Sequence, residues 1–256
     1  MDRVFISIGN INIYWYSVLI IIGIIIGYIL VKKEAKRQNI DNNFLENLIF
    51  YMVIIGIIGA RLYYVIFNYQ NFDSLLSIFA IYEGGLAIYG GIIAAIIFIY
   101  FYSKKYKQNF LQLLDLFAPS LILAQAIGRW GNFFNHEAYG GIVSYEFLTN
   151  LHLPNLIIEN MYINGNYHHP TFLYESIFCL IGFIIMMVFR YKKNTKIGTL
   201  TITYLIYYGI IRFFIEGLRT DSLYFLGFRI SQIVSIIFIL IGILILVKRR
   251  ITWKKK

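Results

Sequence analysis

Seven apolar runs, each long enough to cross a lipid bilayer, constrain this chain more than any other feature of its sequence. They fall at about 13–31, 46–67, 86–103, 111–128, 171–190, 198–217 and 229–247. The hydrocarbon core of a bilayer is about 30 Å thick and takes ~20 apolar residues per helix. Backbone polar groups in lipid must be satisfied within the segment itself, which selects helices. The sequence therefore predicts an all-α integral membrane protein of seven transmembrane helices. The first run has no basic leader and no small-residue cleavage site after it, so it is expected to stay in place as a span.

Charge placement gives the expected orientation. Lys32, Lys33, Lys36 and Arg37 follow the first run, and Lys104, Lys105 and Lys107 follow the third. Arg190, Lys192, Lys193 and Lys196 follow the fifth, and Lys248, Arg249, Arg250, Lys254, Lys255 and Lys256 follow the seventh. Every lysine lies in one of these groups. By the positive-inside rule they face the cytoplasm, with the N-terminus outside and the C-terminus inside. The net charge of +10 then reflects topology and attraction to an anionic inner leaflet, not nucleic-acid binding. A lone cysteine, Cys179, sits mid-span among apolar neighbours, which excludes an internal disulfide and argues against metal chemistry. No cofactor or metal site is expected.

The organisation reads as one membrane-embedded domain over residues 1–256. An extracytoplasmic insert at about 129–170, between the fourth and fifth spans, forms a small subdomain, since a long ordered loop is usually functional. Phe72, Leu75, Leu76, Ile78 and Phe79 suggest an amphipathic interfacial helix between Asn68 and Gly85. Tyr14, Trp15 and Tyr16 open the first span where an aromatic belt is expected. Pro119 should kink the fourth span, with neighbours such as Ser120 satisfying the freed backbone groups. The absence of an internal repeat weakens a transporter reading.

Three polar clusters interrupt this apolar background. Intramembrane ionisable groups cost at least ~2.5–3.5 kcal/mol and mark function unless they are merely paired. The densest runs from Gly128 to Gly140 and holds Arg129, Asn132, Asn135, His136 and Glu137. In a helix Arg129 and Asn132 share a face at i, i+3, presenting a guanidinium fork suited to phosphate beside an amide. Glu137 is placed to pair with or orient an arginine. The second cluster, Glu83 to Gly91, flanks Tyr89 with glycine pairs that permit either close helix packing or ligand entry. The third sets Arg212, Glu216 and Arg219 on one helical face at i, i+4 and i+7, either as a salt-bridge ladder or as a site with positive charge to spare. Glu175, just inside the fifth span, is better suited to hold an arginine than to act as a base. These residues describe a lipid-accessible cavity with arginines for a phosphate headgroup. A phospholipid-handling enzyme, a lipid or anion transporter and a seven-helix scaffold all remain open on this reading alone.

Gly128 to Gly140 also resembles the signature of the prolipoprotein diacylglyceryl transferases, Gly-Arg-x-Gly-Asn-Phe-x-Asn-x-Glu-x-x-Gly, at every fixed position. The resemblance extends to Trp15-Tyr16, to Gly59-Ala60-Arg61-Leu62 with Tyr64, to Glu83–Gly91, His169–Glu175 and Arg212–Arg219. It implies transfer of a diacylglyceryl group from phosphatidylglycerol to the thiol of a lipobox cysteine in the signal peptide of a preprolipoprotein. A thioether forms and glycerol phosphate leaves, in a bacterial plasma membrane. The family's pattern implies that Arg129 holds the lipid phosphate, with Asn132, Glu137 and Gly140 shaping that site. It implies Arg212 as the second essential arginine, Glu175 and Glu216 as its orienting carboxylates, and Tyr16 as a cavity tyrosine. Tyr89 stands where many members carry a histidine proposed as the base. A neutral phenol is a poor base, and a cysteine thiol with pKa about 8.5 is already partly ionised at neutral pH. The resemblance thus puts Tyr89 among the catalytic positions with Arg129 and Arg212 but leaves the thiol-activating base unassigned. Either Tyr89 only helps bind lipid, or deprotonation falls to another group or to water.

Overall fold

The computed structural model describes residues 3–9, 11–72, 77–80 and 84–254. The chain opens with a hairpin, β1 (Val4–Ile8) and β2 (Ile11–Tyr14), and enters α1 (Trp15–Arg37) and α2 (Asn42–Phe67). Next come α3 (Ile88–Lys105) and α4 (Phe110–Asn135). A small inserted layer follows, made of β3 (Ile142–Val143), α5 (Tyr145–Asn150), α6 (Asn155–Asn160), β4 (Tyr162–Ile163) and β5 (Asn166–His168). The chain ends with α7 (Thr171–Tyr191), α8 (Thr199–Leu218), a hairpin of β6 (Tyr224–Phe225) and β7 (Phe228–Arg229), and α9 (Ile230–Lys254). Seven of the helices, of 18 to 26 residues, are long and apolar enough to cross a membrane. They coincide with the seven runs read from sequence.

Two compact units make up the chain, Lys32–Leu113 and the combination of Met1–Val31 with Leu114–Lys256. In the first, Asp41 starts α2 by accepting a hydrogen bond from the Phe44 amide at 2.7 Å, satisfying one of the orphan donors of a helix start. α2 and α3 then touch at their glycines. A Cβ added at Gly59 would stand 2.8 Å from the Gly90 carbonyl oxygen, so backbone meets backbone there and no side chain fits between. Arg61, buried on α2, spends all five N–H donors on backbone carbonyls, those of Ser77, Ile78, Ala80, Gly84 and Gly85. It staples the chain ahead of α3 to the end of α2. The amphipathic helix expected between Asn68 and Gly85 is not seen as one element. Tyr69–Asn71 and Ser77–Phe79 form short 3-10 turns, while Leu75, Leu76 and Glu83 lie outside the described residues.

In the second unit the core is shared by α4, α7 and α8, where Ala118, Ile122, Ala126, Cys179, Met186, Leu200, Tyr204 and Tyr208 interlock. A second cluster, Phe133, Leu148, Ile157, Ile158, Met161 and Phe172, seats the inserted layer on the end of α4 and the start of α7. The insert is a three-stranded sheet of order β3-β5-β4 with two short helices. It begins after Asn135 and not near residue 129, because α4 continues as helix through the glycine-rich motif. Pro119 is accommodated within α4. Ser120, expected to satisfy a freed backbone group, instead has a buried Oγ with no hydrogen bond among the described residues.

Asp115, near the start of α4, ties that helix to the start of α8. Its carboxylate accepts from the Gly198 amide at 2.6 Å, the Thr201 amide at 2.7 Å and the Thr201 hydroxyl at 2.6 Å. A side chain from a neighbouring helix thus caps α8, whose own first residues supply no capping side chain. Asp115→Ala is expected to orphan these buried donors and destabilise the protein by at least ~1–3 kcal/mol. Thermal unfolding in detergent measures this, and Asp115→Asn, which keeps an acceptor oxygen, should recover part of the loss.

Candidate active site

The helical continuation of α4 decides where Arg129 points. One turn links it to Asn132, whose Oδ1 accepts from Arg129 Nη1 at 3.2 Å. Its other amino group, Nη2, pairs with Glu175 Oε1 of α7 at 2.8 Å. The second oxygen of Glu175 pairs with Arg212 Nη1 of α8 at 3.1 Å, and Arg212 Nη2 reaches Glu216 at 2.6 Å. Arg212 Nη2 also donates to Ser231 Oγ at 3.4 Å, and the Tyr208 hydroxyl donates to Glu175 Oε1 at 3.2 Å. Four helices thus meet on one carboxylate-bridged pair of arginines.

Each carboxylate side chain in this quartet is 2% exposed, whereas Arg129 is 20% and Arg212 15% exposed. The group is neutral as a whole, yet its open side is the cationic one. Removing ions from water is expensive, and only good geometry and full hydrogen bonding recover the cost. Here the buried anions are held from several sides, Glu175 by both arginines and by the Tyr208 hydroxyl. Nearby, the Gln125 amide donates to the Tyr204 hydroxyl at 2.9 Å, and Tyr204 stacks on Tyr208 with ring centroids 5.5 Å apart. The polar core therefore continues one layer deeper.

The motif's end turns sharply after α4. His136 and Ala138 adopt left-handed backbone with φ of 53° and 58°, conformations uncommon for residues other than glycine. A recess opens there, lined among others by Asn132, His136, Glu137, Tyr139 and Phe172. Asn132 and Glu137, predicted together from sequence, thus face one small cleft. Glu137 is exposed and has no ion-pair partner among the described residues, so the expected pairing with an arginine does not occur. Gly140 bridges to Arg219, and a Cβ added to it would lie 2.6 Å from that of His169, so this position needs glycine for packing. Tyr16 lies against Gly131, where an added Cβ would meet its ring, and the adjacent Trp15 stacks on Phe134 with centroids 4.8 Å apart. The first span is thereby docked on the motif.

Arg219 departs from the expected ladder. It lies just past the end of α8 and turns to Asp221, with Nη2 2.7 Å from the carboxylate. Burial favours the neutral acid at Asp221, but the hydrogen bonds and charge of Arg219 outweigh it and hold the carboxyl below its ordinary value. Burial likewise lowers the His169 imidazole, whose Nδ1 lies 3.3 Å from the Tyr174 hydroxyl. Tyr89, half-buried at the start of α3, belongs to the other compact unit.

Tyr208 and Ser231 are the participants that the sequence reading missed. Tyr208 carried a usable signal, since 208, 212 and 216 share one helical face at successive i, i+4 steps. Ser231 had none, because its contact is made across two helices.

The sequence pattern of the prolipoprotein diacylglyceryl transferases matches residues 3–248. Phosphatidylglycerol--prolipoprotein diacylglyceryl transferase of Halalkalibacterium halodurans is 48% identical over 249 residues, covering 96% of this chain and 85% of that protein. The same-named proteins of Staphylococcus haemolyticus and Staphylococcus aureus are 47% and 48% identical over 256 and 255 residues. These matches cover 99% of this chain in both cases, with 90% and 91% of the relatives. With a match over residues 3–248, and with seven helices apolar and long enough to cross a membrane, the chain belongs to the prolipoprotein diacylglyceryl transferase family.

Proposed function

We infer that this protein transfers the diacylglyceryl group of phosphatidylglycerol to the cysteine thiol of a preprolipoprotein lipobox, in a bacterial cell membrane. The observation that carries the reading is the quartet of Arg129, Glu175, Arg212 and Glu216, whose cations face outward over buried carboxylates. In the reaction a thiolate of the peptide attacks the glyceryl carbon bonded to the phosphate oxygen. The C–O bond breaks, a C–S bond forms and glycerol phosphate departs with the electron pair. Negative charge grows on that departing oxygen, and arginine N–H groups held in place beforehand stabilise it without reorganising.

Arg129 and Arg212 fill that role, while Glu175 and Glu216 fix the two forks in position and Asn132 holds Arg129 from its own helix. Asn132 and Glu137, in the adjoining recess, are suited to the glycerol hydroxyls of the headgroup. Gly140 keeps the motif's end close to His169 and α8, and Tyr16 closes the side nearest the first span. Tyr89 is assigned to lipid contact. The nucleophile comes from the peptide, so Cys179, fully buried in the helix core, has no part in the transfer. We place this site on the extracytoplasmic side, since every lysine lies toward the opposite ends of the helices.

Mass spectrometry of a synthetic lipobox peptide incubated with purified protein and phosphatidylglycerol tests the assignment. A diacylglyceryl mass gain on the cysteine, matched by release of glycerol phosphate, is expected. If folded protein gives no gain while one of the staphylococcal relatives modifies the same peptide, the assignment is wrong.

A further inference from the structure

The sequence left positive charge to spare near Arg212, but the structure locates the surplus elsewhere. Arg129 and Arg212 share two carboxylates, Arg219 pairs with Asp221, and the donors of Arg61 are saturated by carbonyls. Arg229, the last residue of β7, has no carboxylate partner among the described residues. Its Nη1 donates to the backbone carbonyl of Glu216, its Nε donates to the Tyr224 hydroxyl at 3.1 Å, and its guanidinium stands 5.9 Å from the Tyr224 ring centre. Nη2 makes no hydrogen bond among the described residues. A half-buried guanidinium is thus anchored on one edge and open on the other.

The hairpin that carries it is apolar and exposed. Leu223, Tyr224, Phe225, Leu226 and Phe228 are 70%, 60%, 61%, 82% and 68% exposed. No charged side chain occurs from 222 to 228. The hairpin joins two helices long and apolar enough to cross a membrane, and Phe214 and Leu218 near the end of α8 are exposed as well. Aromatic and aliphatic side chains in that position belong at the boundary between headgroups and acyl chains. An arginine fork at the same level matches a phosphodiester in charge and geometry.

We propose that Arg229 and the 223–228 hairpin form a phospholipid-binding site separate from the Arg129–Arg212 cluster, with the guanidinium on the lipid phosphate and the hairpin side chains among its acyl chains. The occupant is a membrane phospholipid and not a free anion, because the hairpin that carries the cation exposes side chains that water disfavours. The proposal does not depend on the transfer reaction. Through the Glu216 carbonyl, however, the site connects to the residue that holds Arg212.

Native mass spectrometry of the full chain in detergent reads the site directly, with phosphatidylglycerol, phosphatidylcholine, diacylglycerol and soluble glycerol 3-phosphate titrated separately. Arg229→Gln is expected to weaken one bound equivalent of either phospholipid by about tenfold, the usual scale of a charge-assisted contact, and to leave diacylglycerol unchanged. Leu226→Asp, on the most exposed side chain of the hairpin, should weaken phospholipid and diacylglycerol together with no change in thermal unfolding. Both losses should persist in an Arg129→Ala background. Unaltered phospholipid affinity in Arg229→Gln overturns the proposal, as does unaltered affinity in Leu226→Asp. An Arg229-dependent, saturable affinity for glycerol 3-phosphate overturns the lipid assignment. A loss seen only while Arg129 is intact means a single shared site.

Discussion

Arg129→Ala is expected to slow diacylglyceryl transfer by about 10²–10³-fold, the range seen when one preorganised donor to a developing anion is removed, while the protein stays folded. The structure explains the second half of that expectation. Without Arg129, Glu175 still pairs with Arg212 at 3.1 Å and accepts from the Tyr208 hydroxyl at 3.2 Å, so no buried charge is orphaned. The lost group is the more exposed cation of the quartet, and its absence is felt when charge builds on the departing phosphate. Arg129→Lys keeps a cation but not the fork that reaches Asn132 and Glu175 together, so it should restore a minor part of the rate. Transfer measured on a lipobox peptide, alongside thermal unfolding in detergent, separates the two effects. A variant within threefold of the parent in rate would remove Arg129 from the phosphate site.

Glu175→Ala should do the reverse and act first on the fold. Its side chain is 2% exposed and bridges Arg129 and Arg212. Its removal leaves two guanidiniums facing each other over Glu216 alone. Breaking a buried pair by deleting one partner costs about 3–5 kcal/mol, because the remaining charge stays buried without compensation. For a chain of this size that lowers the unfolding midpoint by roughly 6–20 °C. Activity should vanish with it, since both forks lose their common anchor. The diagnostic is the double variant Glu175→Ala with Arg212→Ala, which relieves the repulsion. It is expected to be more stable than the sum of the two single losses. Strict additivity would mean that the carboxylate does not join the two arginines in solution.

Much of this architecture was legible in the sequence. The seven spans follow from apolar run length, because a bilayer requires every backbone group to be paired within its own segment. The arginines of the site could be picked out for the same reason, as charges in lipid are too costly to occur without a use. Helical spacing likewise anticipated the contact of Arg129 with Asn132 at i, i+3, and that of Arg212 with Glu216 at i, i+4.

Local spacing misled where a helix ended or a partner came from far along the chain. Arg219 has the right period to join Arg212, yet α8 stops at Leu218 and the side chain swings to Asp221. Glu137 looked like a partner for an arginine, but beyond the left-handed turn at His136 it lines the recess, exposed and with no ion-pair partner among the described residues. Arg61, within a family motif, turned out to hold five carbonyls from one loop.

The sequence by itself determined the class of the protein, its seven spans and the residue types of its site. The tertiary structure alone decided which charges neutralise which. Glu175 on α7 became the common partner of arginines on α4 and α8, and Arg229 was left with no carboxylate partner among the described residues. The physical reason is range. Span formation and i, i+4 contacts depend on neighbours in the chain. The pairing of Arg129 with Glu175, or of Tyr208 with that carboxylate, depends on how helices pack, and no local pattern encodes it.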